Sequence, residues 1–257
     1  MSKVIGVDNA QYRGYRKTFS GGKHNGAYYY AKEIEKNMLP LIKTDRDWDL
    51  LGMRFTPHYH RSIIFIHHNL DWDKTYPWIA KLEDPILVVS TKPTLEWAKS
   101  NGYKAIFLPL SIDVDYVSQF KTEKTKKACY AGNRWAFKKE QEDKNLPKDL
   151  DFPPADLERE ELLKFIAPYK ECYAIGRCAL EAMVLGCKIK PFLMDRYPDP
   201  NYWKILSNDG AARLLQQALD DIEAEAHLVD CTKYDSYNQL SNQDAAKILQ
   251  EELDRLS

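Results

Sequence analysis

Residues 173–189, YAIGRCALEAMVLGCKI, read as a buried helix running into a strand at 188–192. Ala179, Leu180, Met183 and Leu185 are core-forming, yet Glu181 stands among them and Arg177 opens the segment. Burying a carboxylate without a partner costs several kcal/mol. Glu181 therefore has to meet a cation of the chain or a hydrogen-bond donor on a ligand.

Upstream, apolar runs that do not alternate with polar residues predict strands at 4–7, 50–55, 62–67, 86–90 and 105–108. Helical periodicity lies between them. Ala27, Tyr30, Ala31, Ile34 and Met38 share one face before Pro40, and shorter helical segments are expected near 75–82 and 94–100. Strand–helix alternation of this kind implies a parallel sheet covered on both faces. A second series starts after the lysine-rich stretch FKTEKTKK (120–127), the best linker candidate. It contains a strand ending at 129–131 and a charged loop. A helix follows in PPADLEREELLKFIAPY with Asp156 as its expected cap, and then the quoted segment. Terminal helices are expected near 211–224 and 244–256. The expected fold is α/β, with two Rossmann-like domains at 1–120 and 121–240. A last helix, within 241–257, is expected to pack back towards the first domain.

The chain has 257 residues, 44% of them hydrophobic and 29% charged, as in ordinary globular domains. No apolar run is long enough to cross a bilayer, and the N-terminus has no signal-like apolar segment. The five cysteines are odd in number and lack CxxC spacing, so reduced thiols and a cytoplasmic location are expected. Net charge is −1, but residues 1–124 carry 18 Lys/Arg against 14 Asp/Glu and the remainder 19 against 24. Arg13, Arg16 and Lys17 are interleaved with Tyr12, Tyr15 and Phe19. That pattern suits either a solvated face or one meeting an anionic partner such as nucleic acid, a lipid headgroup or a glycan.

Three further groups could carry chemistry. Gly21-Gly22 before the first helix would let backbone approach an anion or form an ordinary turn, and no GxGxxG or GKS/T accompanies them. His58, His60, His67 and His68 fall within eleven residues, but strand neighbours such as His67 and His68 point to opposite faces. They are better suited to a polar or proton-accepting role near a ligand, or equally to an ordinary contact with an aspartate or backbone, than to holding one metal ion. In CYAGNRWAFKK (129–139), Gly132, Arg134, Lys138 and Lys139 follow a strand, an arrangement suited to a diphosphate or to a plain basic loop.

The order of SGGKHNGAYYYAKEIEK, PILVVSTKPTLEWAKSNGYKAIFLPLSIDVDYV, YAGNRWAFKK and GRCALEAMVLGCKI resembles the "glycosyl transferases group 1" family of sugar-nucleotide-dependent enzymes with the GT-B fold. The resemblance implies two Rossmann-like domains facing a central cleft. It also implies sugar transfer from a nucleotide diphosphate donor, UDP- or GDP-linked, retaining and independent of metal or other cofactor. Carried over, Glu181 would bind the ribose hydroxyls, making its partner a ribose rather than a neighbouring arginine. Arg134 with Lys138 or Lys139, and the extra cation Arg177 beside Gly176, would meet the diphosphate. Gly21-Gly22 would face donor phosphates or acceptor, and His67 or His68 would lie near the transferred sugar.

Tyr173 stands where the family has its first glutamate, with Glu171 two residues away. That departure supports an alternative, a nucleotide- or sugar-binding protein that performs no transfer. The acceptor is unspecified, and Arg13, Arg16 and Lys17 keep a DNA base among the options.

Overall fold

The computed structural model describes residues 26–50, 61–66, 79–131, 147, 149–154, 157–190, 205–224 and 227–237. The expected strand at 4–7 and helix at 244–256 lie outside them. The described helices are α1 (Gly26–Glu33), α2 (Lys92–Ser100), α3 (Val114–Ser118), α4 (Arg159–Ile166), α5 (Gly176–Val184) and α6 (Asn208–Ala224). The strands are β1 (Asp47–Leu50), β2 (Ser62–Ile66), β3 (Ile86–Val89), β4 (Lys104–Phe107), β5 (Lys126–Ala131), β6 (Tyr169–Ala174), β7 (Lys188–Lys190) and β8 (Leu228–Asp230). They form two parallel sheets, one of five strands and one of three, in two compact units.

The first unit takes its described residues from Ala27–Ser111 and Leu206–Gln243. Its sheet has the order β1-β2-β3-β4-β8, every pair parallel. Strand β2 shows why the apolar runs do not alternate. Ile63 and Phe65 point into a core with Ile34, Met38 and Leu215, whereas Ile64 and Ile66 join Leu87, Val89, Leu95 and Ala98. Both faces are thus buried, one against α1 and α6 and the other against α2. Thr91 caps α2, its Oγ1 accepting from Thr94 N at 3.4 Å, and Pro93 sits in the first turn.

The amino ends of these strands carry a charge network. The Arg46 side chain is 0% exposed; its Nε donates to Glu223 Oε1 (2.7 Å), Nη1 to Asp84 O (2.7 Å) and Nη2 to Asp84 Oδ2 (2.6 Å). Asp84 also takes Lys104, at 2.8 Å, and Arg61 pairs with Asp45 at 2.8 Å. A left-handed φ of 49° at Asp84 turns both its carbonyl and its carboxylate to Arg46, a conformation aspartate tolerates.

The second unit takes its described residues from Ile112–Ile205, with Gly26. Its sheet has the order β5-β6-β7, with Cys129 opposite Cys172 and Tyr130 opposite Tyr173. One face consists of small buried residues, Cys129, Ala131, Cys172 and Ala174, together with Ile189. Helix α5 packs on β6, β7 and α3, and α4 packs on β5 and α5.

Several expectations change. The segment expected to be linker already contributes Lys126 and Lys127 to β5, and the chain passes between units at Ser111–Ile112 instead. Residues 206–237, placed by the sequence in 121–240 as one domain, belong to the first unit because α6 buries Ala211, Leu214, Leu215 and Ile222 in its core. In addition, β8 pairs with β4. The passages at Ser111–Ile112 and Ile205–Leu206 are tied inside the first unit: Ser111 Oγ donates to Asn208 Oδ1 (2.8 Å), and Asn208 Nδ2 donates to Glu33 Oε2 (2.8 Å). The strand expected at 50–55 is already formed at Asp47–Leu50, where Trp48 and Leu50 bury on alternate positions. Glu158, not Asp156, caps α4, through a capping box with Glu161. Finally, 173–174 end strand β6 rather than opening a helix.

Candidate functional site

The quoted segment folds as strand end, tight turn, helix and strand. Strand β6 ends at Ala174, Ile175 is extended, and Gly176 starts α5 with φ +56°. A Cβ on Gly176 would meet nothing within 4 Å, so glycine is required by backbone conformation rather than by space. Gly176→Ala is expected to lower stability by about 1–2 kcal/mol, and Gly176→Asn by less, because asparagine tolerates the left-handed region. Urea unfolding of the two variants checks this; an unchanged midpoint in the alanine variant would contradict it.

No side chain caps α5 at Ile175. Its first-turn N–H groups therefore remain the positive end of the helix, next to Arg177. One turn further on, Glu181 is 3% exposed. Its partners are two arginines of the chain, which corrects the expectation of a ribose as the group that makes its burial possible. Arg177 Nε donates to Oε1 at 3.1 Å from the same helix, four residues earlier. Arg159 Nε donates to the same oxygen at 3.0 Å, with Nη2 in ion-pair contact also at 3.0 Å. The capping box of α4 fixes where Arg159 starts, and the Arg159 guanidinium lies 5.0 Å from the centre of the Tyr116 ring on α3. Three helices thus meet around one carboxylate.

Both hydrogen bonds land on Oε1. Among the described residues, nothing donates to Oε2. An ionised carboxylate only accepts, so Oε2 offers an acceptor to a hydroxyl or N–H and repels a phosphate. The adjacent Cys178 thiol is pushed up to about 12, first by its removal from water and then by the Glu181 carboxylate, with Arg177 and Arg159 opposing. It is a packing group rather than a nucleophile.

Tyr173 lies in β6 and packs, half-buried, against the cluster of Tyr130 and Leu150, where Phe152 and Ile175 also pack. Glu171 sits two residues earlier on the same face of the strand, held by Lys190 at 3.1 Å. It is therefore spoken for within the sheet and does not reach the helix start.

Of the residues singled out from the sequence, Tyr173, Gly176, Arg177 and Glu181 are brought together around the β6–α5 turn. Gly21, Gly22, Gly132, Arg134, Lys138, Lys139, His67, His68, Arg13, Arg16 and Lys17 lie outside the described residues. Sequence reasoning missed Arg159 and Tyr116. Arg159 sits in the charged run LEREE and looks like solvated surface, and nothing in its spacing links it to Glu181, 22 positions away.

Among the described residues, no group of three or more His, Cys, Asp or Glu is placed to hold a metal ion, and no helix is long and apolar enough to cross a membrane. No protein-family model, curated protein or solved structure matches the chain.

Proposed function

We propose that the chain is a glycosyltransferase of the GT-B type, with the second unit binding a nucleotide-diphosphate sugar. The observation that carries this reading is Glu181: a buried carboxylate with Oε1 fixed by two arginines and Oε2 left as an acceptor, one turn after a glycine-initiated, uncapped helix start. A ribose hydroxyl donating to Oε2 and a diphosphate near the N–H groups of Gly176 and Arg177 would satisfy both ends of that arrangement. The parallel α/β build of both units, and the order of motifs along the chain, support the same assignment. As the sugar leaves, charge grows on the nucleoside diphosphate. A helix N-terminus with an arginine beside it is suited to stabilising that charge.

A second reading, nucleotide or sugar binding without transfer, is favoured by Tyr173, which is packed in β6 where the resembled family has a donor-contacting glutamate. One assay separates the two: release of nucleoside diphosphate from UDP-, GDP- and ADP-sugars by the purified protein. Release from one donor above background is expected. Measurable binding of a nucleotide with no release from any donor would overturn the transferase reading in favour of the binding one.

A further inference from the structure

We propose that Arg159 is a positioning residue that makes the site selective for ribonucleotides over their 2′-deoxy counterparts, an inference that rests on the reading of Glu181 as the ribose-binding group. Arg159 reaches Glu181 from a different helix, and Nε and Nη2 both approach Oε1 at 3.0 Å, so the carboxylate is held from the side as well as by Arg177 below it. Its own guanidinium is steadied by the Tyr116 ring at 5.0 Å. A carboxylate gripped at one oxygen has one orientation, and its acceptor capacity is concentrated on Oε2. The group that meets Oε2 must be a donor. In a nucleotide that means a sugar hydroxyl or a base N–H, because phosphate oxygens accept and would be repelled; with the diphosphate at the start of α5, one turn away, the ribose is the nearer of the two. A ligand lacking the hydroxyl leaves the carboxylate oxygen without its donor, and preorganisation sharpens that difference by preventing Glu181 from turning to another partner.

Lysine at position 159 keeps the charge but delivers it from a single point on a flexible stem, so it cannot reproduce the directed Nε–H hydrogen bond and the planar charge beside it. The test measures the affinities of UDP, GDP and ADP and of their 2′-deoxy forms by calorimetry for wild type, Glu181→Gln, Arg159→Lys and Tyr116→Leu. The ratio of ribo to deoxy affinity belongs to the folded molecules alone and is insensitive to how much protein is folded. The wild type is expected to prefer one ribonucleotide by about tenfold, the worth of one charge-assisted hydrogen bond. Glu181→Gln and Arg159→Lys are expected to bring the ratio close to one, and Tyr116→Leu to lower it partway. A ratio lost in Glu181→Gln but kept in Arg159→Lys would overturn the role of Arg159 and leave the Glu181 reading standing. No nucleotide binding, no ribo preference in wild type, or a preference unchanged in Glu181→Gln would overturn that reading itself, and this inference with it.

Discussion

Glu181→Ala is expected to lower the free energy of unfolding by about 3–5 kcal/mol, the range for breaking a buried ion pair by deleting one partner. The cost does not come from the lost helix residue, since alanine is a better helix former than glutamate. It comes from what remains: two buried arginines, Arg159 and Arg177, 10% and 9% exposed, that have lost the carboxylate to which both donate. The Cys178 thiol, now pushed upward partly by Glu181, would at the same time move down, towards the ordinary range. Glu181→Gln keeps the shape and one acceptor oxygen and should lose less. Denaturant unfolding measures both variants, and a loss below about 1 kcal/mol in the alanine variant would mean that the arginines are stabilised by something other than Glu181.

The other large effect is expected in the first unit, at the amino ends of its strands. Arg46→Met should cost about 2–3 kcal/mol. Arg46 is fully buried and makes three hydrogen bonds, but its carboxylate partners Asp84 and Glu223 are 36% and 43% exposed and can return to water, which keeps the cost at the lower end for a broken pair. The network also predicts an acid limb. Burial alone would raise the Asp84 carboxyl; hydrogen bonds from Lys104 and Arg46 outweigh it and hold it below the ordinary aspartate value of 3.8. A carboxyl lowered in the folded state contributes stability above its unfolded value, and that contribution is lost as pH falls through the folded one. Stability should therefore drop below about pH 4, and less steeply in Arg46→Met than in wild type, because one of the cations on Asp84 is gone while Lys104 and Arg61 remain. Thermal midpoints between pH 5 and 2 test this. Parallel curves for the two proteins would place the acid sensitivity elsewhere, for instance at Asp230, whose carboxyl is lowered by Lys92 and Thr232 against the effect of burial.

The α/β class was legible because the strands β2, β3 and β4 are buried on both faces, and two-sided burial writes unbroken apolar runs such as IIFI and ILVV. Strands β6 and β8 were not legible. One face of YKECYA carries Lys170, Cys172 and Ala174, which give no strand signature, and the other carries Tyr169, Glu171 and Tyr173, where the glutamate breaks the apolar pattern. LVD is three residues long and only becomes a strand because β4 has a free edge beside it. That one short pairing, with the apolar face of α6, moves residues 206–237 into the first unit, an outcome set by tertiary packing rather than by any local pattern. At the site, Glu181 announced itself as a charge in an apolar helix, and Gly176 as a glycine before that helix. Arg159 and Tyr116 did not, because cations at a helix start and tyrosines on a short helix are common surface residues. Arg46 was hidden for the same reason: a single arginine before a strand looks solvated until Asp84, Glu223 and the strand ends close over it.

The most direct test of the account is a crystal structure of the protein soaked with the nucleoside diphosphate that binds tightest. A ribose hydroxyl is predicted within hydrogen-bond distance, about 2.6–3.2 Å, of Glu181 Oε2, with the diphosphate at the backbone N–H groups that begin α5 and Oε1 still held by Arg159 and Arg177. A nucleotide bound elsewhere, or bound here with its phosphates rather than its ribose towards Glu181, would contradict it.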